Sequence, residues 1–520
     1  MNKSLTPQRF DKTTRRELLR FAGAGGLTAS LGFASVRTIA AQTPVDLPLL
    51  EQMVIDLAGV PESIDPALAY SPRDWSVVHS IYDSPLGYAA DGTIVPLAAE
   101  SFAAVDDLTY EIVLRPGLLF HDGSPVTSAA ITRSVAYMME SGSSASGLFA
   151  GITGVEEVDQ LTARIVSSEP APWLPAQIAV WLLLIPEGYS ADQAATAPVG
   201  SGPYRFASQE SGDSIALARN PDYTWGSSKG QPMAEELVFR FVPEVATRIA
   251  DLATGASHLI TEIPASQLSA VSDSGAIAVE TAVVGSAFIR IAADVAPFDD
   301  ARVRQALNHA LDVQAIAGAL VSPEASRLAS LFPDDRSMAF NPDLEPYAFD
   351  LARARHLLVE AGVEDGFETE LEITPAASVD VAEAIAAQLA EVGITVAIRV
   401  TEYTDFNATW NESSAPALRM ATWSPLYDPH TLLSLVFASE GFLSRYVNPD
   451  VDTLIESGAS EVDAEVRASI YRELSALMYE DAPAVYLWNL TAGYGMAEEV
   501  SAWRPRGDEY VIPTVVGEAD

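Results

Sequence analysis

Cysteine is absent from the 520 residues. Disulfides, thiolate metal sites, cysteine nucleophiles and a lipidated N-terminal cysteine are thereby excluded. An extracytoplasmic form must rely on its core alone. Lysine occurs only at Lys3, Lys12 and Lys229, so arginine supplies nearly all positive charge. Thirty basic residues face 71 acidic ones, a formal charge of −41. Nucleic acid and anionic membrane both need basic patches, and this balance argues against each. The acidic excess reads as a solvated surface suited to salty or acidic surroundings, with steering of cationic ligands as the alternative. With 48% hydrophobic and 19% charged residues the chain is globular, and it is too long for one core.

Residues 1–41 read as an export signal. Thr14-Arg15-Arg16-Glu17-Leu18-Leu19-Arg20 resembles the twin-arginine motif, with Arg15 and Arg16 as its core. A Gly-rich, mildly apolar run from Phe21 to Val36 follows, then small residues for cleavage at Thr38-Ile39-Ala40-Ala41. The run is shorter than the ~20 strongly apolar residues of a spanning helix, and no other segment is long and apolar enough. A soluble, exported protein without a lipid anchor is expected.

From Met53 strand-like and helix-like segments alternate, the pattern of an α/β fold. Gln52–Ala58, Thr109–Leu114 and Thr162–Val166 read as strands, and Thr127–Met139 as a helix, followed by a loop over Ser141–Gly147. Helices are expected at Asp299–Leu320, Asp350–Ala361, Val379–Val392 and Glu465–Tyr479, with Gly362 and Gly393 as C-terminal stops. Strands are expected at Ile394–Val400 and Ala484–Trp488. One stretch stands apart, Ala421-Thr422-Trp423-Ser424-Pro425-Leu426-Tyr427-Asp428-Pro429-His430. Its two prolines rule out an ordinary strand or helix interior. It reads as a rigid loop presenting Trp423 and Tyr427 to a ligand cleft, or equally as a core plug with both aromatics buried.

Several motifs occur in one order. Leu114-Arg115-Pro116-Gly117-Leu118-Leu119-Phe120-His121-Asp122-Gly123-Ser124-Pro125-Val126-Thr127 is similar to "LRdGvkFhDGtPlt". Before it stands Asp91-Gly92-Thr93-Ile94-Val95-Pro96-Leu97-Ala98-Ala99-Glu100-Ser101. Pro198-Val199-Gly200-Ser201-Gly202-Pro203-Tyr204 is similar to "PiGTGPY", and Pro297-Phe298-Asp299-Asp300-Ala301-Arg302-Val303-Arg304-Gln305-Ala306-Leu307 to "PFnDvrVRqAl". Together they resemble the family 5 extracellular solute-binding proteins of ABC importers, which include oligopeptide-, dipeptide- and nickel-binding members. Read physically, His121-Asp122-Gly123 is a turn and Gly200-Ser201-Gly202 a place of close backbone packing, with no Lys to make it a phosphate loop. His121 has no partner histidine at metal-ligand spacing.

The resemblance implies a two-lobed, type II periplasmic-binding-protein-like α/β fold with an extra subdomain inserted in lobe one. On that reading 42–286 form lobe one, with the insert at about 74–175. Residues 287–489 form lobe two, and 490–520 return to lobe one. Crossovers are expected near Ser286–Ile291 and Val485–Asn489. The function implied is solute capture between the lobes for delivery to a membrane permease, by a monomer, without catalysis and without cofactor. No G-x-S-x-G, H-E-x-x-H or paired-carboxylate pattern supports a hydrolase.

The ligand is less clearly written. Peptide-binding relatives commonly read "WxADY", whose Asp pairs with the peptide ammonium; here that position is Leu426, with Asp428 nearby as a substitute. Trp423-x-x-x-Tyr427-Asp428-Pro429-His430 is closer to the nickel-binding "WGAPYDPH", and Tyr70-Ser71-Pro72-Arg73-Asp74-Trp75 resembles those members' N-terminal cleft segment. No histidine after Phe437 and no arginine in Ser143–Gly147 or Ile178–Ile185 matches the metal-chelate ligands. The expected cleft is therefore lined by Tyr70, Trp75, Trp423, Leu426 and Tyr427, with Arg73, Asp74 and Asp428 as charged contacts. Peptide leads as the ligand class, ahead of a sugar, an opine-like compound or a chelated metal.

Overall fold

Two strands run much further than their sequence signals: Ile277–Ile291 and Ala484–Met496. They pair antiparallel from Ile277 with Met496 to Arg290 with Ala484, and the register shifts on either side of Ser286. Such irregularities bend and twist a strand pair locally. The segments proposed as crossovers, Ser286–Ile291 and Val485–Asn489, lie within this pair. The computed structural model describes residues 49–89, 92–140, 144–149 and 151–516. The signal reading for 1–41, with Arg15 and Arg16, lies outside the described residues.

The long pair sits in the middle of a ten-stranded mixed sheet. To one side lie Leu259–Ile260, Leu50–Leu57, Ala234–Phe241, Ser214–Arg219 and Tyr204–Glu210; to the other lie Leu418–Trp423, Phe367–Ile373 and Ile394–Val400. Leu50–Leu57 runs parallel to both of its neighbours, and Phe367–Ile373 to both of its own. Successive side chains leave a strand on opposite faces, so one strand can serve two cores. Ala287, Ile289 and Ile291 enter one core of the part read above as lobe two, with Leu307, Leu357, Leu371 and Ile385. Val284 and Phe288 enter another with Phe437, Tyr471 and Tyr486. At the far end Val283, Tyr494 and Met496 join the lobe-one core around Met53, Ile55, Val78 and Leu184.

A separate four-stranded antiparallel sheet is built from Ala99–Asp106, Thr109–Leu114, Thr162–Ser167 and Ile152–Glu157. Its inward residues Phe102, Tyr110, Ile112 and Ile165 belong to the lobe-one core rather than to a core of their own. One helix differs from its sequence reading. Asp299–Leu320 is two helices, Ala301–Ala310 capped by Asp300 and Val313–Leu320 capped by Asp312, with Leu311 extended between them. The Asp312 side chain accepts from the Ala315 backbone at 3.1 Å, and this second cap restarts the helix.

The recognised motifs are scaffold. Asp122 Oδ1 accepts from the Ser124 backbone and hydroxyl, and Gly123 has φ +84°. The His121 ring spans the two glycine motifs: Nδ1 accepts from the Gly200 backbone and Nε2 meets the Gly202 carbonyl. A Cβ at Gly200 would stand 2.2 Å from the Ile81 carbonyl oxygen, so the backbones touch there and no side chain fits.

The lysine beyond the signal is spent internally. Lys229 is buried and donates to Asp83 at 2.7 Å and to the carbonyls of His79 and Tyr82 at 2.9 and 2.8 Å. Tyr223 also donates to Asp83, at 3.1 Å. Removing one partner of a buried pair strands the other charge, at about 3–5 kcal/mol. Lys229→Met is therefore expected to lower unfolding free energy by about that amount in urea denaturation; a loss under ~1 kcal/mol, typical of an exposed pair, would show that Asp83 is not held by this contact.

Candidate ligand cleft

The Pro72–Ile81 helix begins with a capping box. Ser71 Oγ accepts from the Asp74 backbone, and the Asp74 carboxylate accepts from the backbones of Glu62, Tyr70 and Ser71 at 2.7, 2.9 and 3.1 Å. Asp74 is fully buried by these bonds, and its carboxylate serves as a helix cap in this structure. Arg73 makes a two-pronged pair with Glu262, both bonds 2.7 Å. Trp75 points inward, edge-on to Trp181 at 4.9 Å and 6.1 Å from Tyr510. It backs the wall instead of forming its surface. Tyr70 keeps its exposure and lies 6.4 Å from Trp181.

The facing wall grows out of the Leu418–Trp423 strand, whose last residue pairs with Ser286 of the long strand. Trp423 is half-buried there. The Ser424–Pro425 peptide is cis. Beyond it the chain turns into the protein: the Leu426 backbone donates to Val284 at 2.7 Å and its side chain is wholly buried in the lobe-two core. Tyr427 is buried too, its ring 4.4 Å from that of Tyr88, and a Cβ at Gly92 would meet it at 2.7 Å. Asp428 is taken by Arg467, at 2.6 and 3.1 Å, and accepts from the His430 backbone at 2.9 Å.

The expected lining thus divides. Tyr70, Arg73 and Trp423 keep solvent-accessible surface, whereas Trp75, Leu426 and Tyr427 are packed as core and Asp428 is neutralised by Arg467. Tyr427 is plugged into the core, and Trp423 packs against the same core while keeping part of its surface exposed.

Three contacts join the loop to lobe-one elements. His430 stacks on Trp173 with ring centroids 4.9 Å apart, Gln177 donates to Thr431 at 2.5 Å, and Ser424 Oγ donates to Glu509 at 3.0 Å. Burial lowers the His430 pKa to about 4, which keeps the stacked ring neutral. Tyr403, at the start of the Tyr403–Ala408 helix, lies near enough to Glu62, Asp74 and Tyr70 for them to add to the rise that burial causes in its hydroxyl pKa.

Two residues near these walls carry no signal in the motifs. Trp181 ends the Leu174–Trp181 helix and packs edge-on against Trp75. Glu509 is a half-buried acid in the left-handed region at φ +67°, with no cation paired to it among the described residues. Burial pushes its pKa up to about 7, Glu262 and Asp508 adding to the effect and the Ser424 hydrogen bond opposing it. No cluster of metal-ligating side chains occurs among the described residues.

Residues 93–444 match the profile of the bacterial extracellular solute-binding proteins, family 5 (middle region). The chain belongs to this family. As a family 5 solute-binding protein it is a non-enzymatic, extracytoplasmic component of an ABC importer, and no described helix is long and apolar enough to cross a membrane. It is 26% identical over 468 residues to the glutathione-binding protein GsiB of Pectobacterium atrosepticum, covering 84% of this chain and 88% of that one. Among solved structures it resembles the Helicobacter pylori periplasmic binding protein DppA in complex with the peptide STSA, with a TM-score of 0.80, 22% identity, and coverage of 89% and 98%. It also resembles AgaA of A. tumefaciens R10 in complex with agropinic acid, with a TM-score of 0.76, 23% identity, and coverage of 86% and 93%. These likenesses establish the two-lobed type II fold.

The Asp428–Arg467 pair is expected to hold the loop. Asp428→Asn and Arg467→Met should each cost about 3 kcal/mol in denaturant unfolding. The double variant should cost clearly less than the sum, because the two changes remove one interaction. Additive losses would separate the residues.

Proposed function

We propose that this solute-binding protein captures a small amphipathic solute carrying a protonated amine, with a short peptide as the leading class. The observation that carries this reading is Glu509. Arg73, Asp74 and Asp428 are each engaged by protein partners, while among the described residues the Glu509 carboxylate meets a serine hydroxyl beside Trp423 and no cation. Even a half-buried carboxylate without a cation is costly, and a ligand ammonium supplies one. Tyr70, Trp181 and Trp423 offer aromatic faces for the rest of the solute through stacking and cation–π contact. Glu509 then takes the part that Leu426 cannot. Arg73 supports a second reading, an opine-like acid such as the one bound by AgaA, since its guanidinium is partly exposed beside Glu262.

The wider reading is a monomer exported through its twin-arginine signal at Arg15 and Arg16, unlipidated and binding no nucleic acid. Its lobes are read as 42–286, 287–489 and a return at 490–520, with an insert at about 74–175. Closure of the lobes on the solute presents it to the permease.

Titration calorimetry with a dipeptide panel tests the ligand reading. Glu509→Gln is expected to weaken binding of an amine-bearing dipeptide by about 10- to 150-fold, the range of a hydrogen bond to a charged group. The N-acetylated dipeptide should bind both proteins equally poorly. Glu509 titrates upward from 4.5 to about 7 on folding, so the folded protein holds its proton more tightly and this stabilising contribution fades as pH rises through that window. Pairing with an ammonium needs the ionised form, so affinity should rise over the same window in the wild type and stay flat in Glu509→Gln. Equal affinities of the two proteins for an amine-bearing solute would remove Glu509 from the site.

Trp423→Ala is expected to weaken whichever solute binds by at least tenfold, through lost stacking area. Unchanged affinity for a solute that demonstrably binds would place the site elsewhere.

A further inference from the structure

The lobe-two sheet carries a row of charges into its interior. Arg399, Glu372, Arg419 and Arg290 are successive cross-strand partners, so their side chains share one face. Arg399 is at the exposed end and pairs with Glu370. The other three are buried, Arg290 with 1% and Arg419 with 0% of their surface exposed. Arg445, also buried, adds a third cation and pairs with Asp294 at 2.9 Å. Arg419 Nε lies 2.6 Å from Glu372 Oε2, near enough for an ion pair though off the hydrogen-bond direction. Arg290, Arg419 and Arg445 thus stand against Glu372 and Asp294, a surplus of one positive charge.

The donors show the same imbalance. Nε, Nη1 and Nη2 of Arg290 all lack an acceptor among the described residues, as do Arg419 Nη1 and Trp410 Nε1. The three side chains belong together: Arg290 and Arg419 are cross-strand neighbours, and the Arg419 guanidinium lies 5.4 Å from the Trp410 ring and 4.0 Å from that of Phe406. Arg419 Nη2 is satisfied by the Phe406 carbonyl at 2.6 Å, which ties the Tyr403–Ala408 helix to the sheet. Arginine has donors only, and burial followed by Arg419 and Arg445 lowers the Arg290 pKa only to about 9, so it is charged at neutral pH. A buried guanidinium without an acceptor is among the most costly groups a fold can hold. Neutral water would satisfy hydrogen bonds but not the surplus charge.

We propose that Arg290, Arg419 and Trp410 enclose a small monovalent inorganic anion of the halide class inside lobe two. One negative charge balances the row; beside the orphaned donors of Arg290, Arg419 and Trp410 the one orphaned acceptor among these side chains, Glu372 Oε2, lies against Arg419 Nε and leaves the Arg290 guanidinium uncompensated. The site is shut off from solvent, so it takes a free ion and not the carboxylate of a cleft solute. It is independent of the identity of that solute. By fixing the Tyr403–Ala408 helix, the ion also fixes Tyr403, which approaches Tyr70 and Asp74 of lobe one.

The test uses the full exported chain, dialysed into sodium gluconate and titrated with sodium chloride at constant ionic strength. The unfolding midpoint is expected to rise logarithmically once chloride exceeds its dissociation constant, by about 2 °C per tenfold increase. Arg290→Met, similar in length and uncharged, is expected to lose this chloride-specific rise. Crystals of the wild type grown in sodium bromide are expected to show an anomalous peak within hydrogen-bond distance of Arg290. This keeps the test decisive if the variant fails to fold. A midpoint insensitive to chloride at fixed ionic strength, a rise retained in Arg290→Met, or bromide crystals with only water against Arg290 would each overturn the proposal.

Discussion

The antiparallel pairing of Ile277–Ile291 with Ala484–Met496 is the constraint on which the molecule depends. Each strand runs from the lobe-one core into the two lobe-two cores, and the period-two alternation lets one backbone feed both faces of the sheet. The register shifts around Ser286 fall where lobe-one core gives way to lobe-two core. Trp423 is the cross-strand partner of Ser286, and the Leu426 backbone is bonded to Val284. The loop at 421–430 is therefore anchored to the long strand at its register shifts, and any bend there is passed directly to Trp423.

That anchoring explains why the conspicuous charges around the loop and the Pro72–Ile81 helix have partners within the protein. A loop rich in proline that carries one exposed aromatic must be held from behind. Leu426 and Tyr427 do this by burial, and Asp428 by its pair with buried Arg467. On the other wall Asp74 holds the helix start and Trp75 backs Trp181. Positioning has absorbed the charges that lie near the aromatics in sequence. Glu509, an acid without a cation among the described residues, arrives from the C-terminal part of the chain, more than eighty residues from Trp423. An acidic protein with little lysine makes the same choice inside lobe one, where Lys229 is committed to Asp83.

Much of the fold was readable because local signals and global architecture agree. Thr109–Leu114 and Ile394–Val400 are strands with the expected bounds, and Asp350 and Gly362 frame a helix as caps should. The double helix at Asp299–Leu320 was misread because an apolar stripe continues across Leu311, while the second cap at Asp312 is a single residue. The long strands were underestimated because their outer halves, Ile277–Ala282 and Leu490–Met496, carry Gly, Ala and Thr rather than an apolar run. The candidate loop was legible as a segment, the direction of its side chains less so. Tyr70 and Trp423 announce themselves as aromatics beside proline, but whether a neighbouring Tyr427 points in or out depends on Gly92 and Tyr88, which are remote in sequence. Glu509 carries no local signal at all; only its left-handed backbone and its approach to Ser424 mark it.

The most direct measurement of whether the two walls close on one solute is amide hydrogen exchange with and without the strongest stabiliser from a panel of dipeptides, opines and sugars. The result predicted is joint protection of 423–431 and of 506–510, segments from opposite walls joined here by the Ser424–Glu509 contact. A solute that stabilises the protein yet leaves either segment unprotected would contradict capture between them.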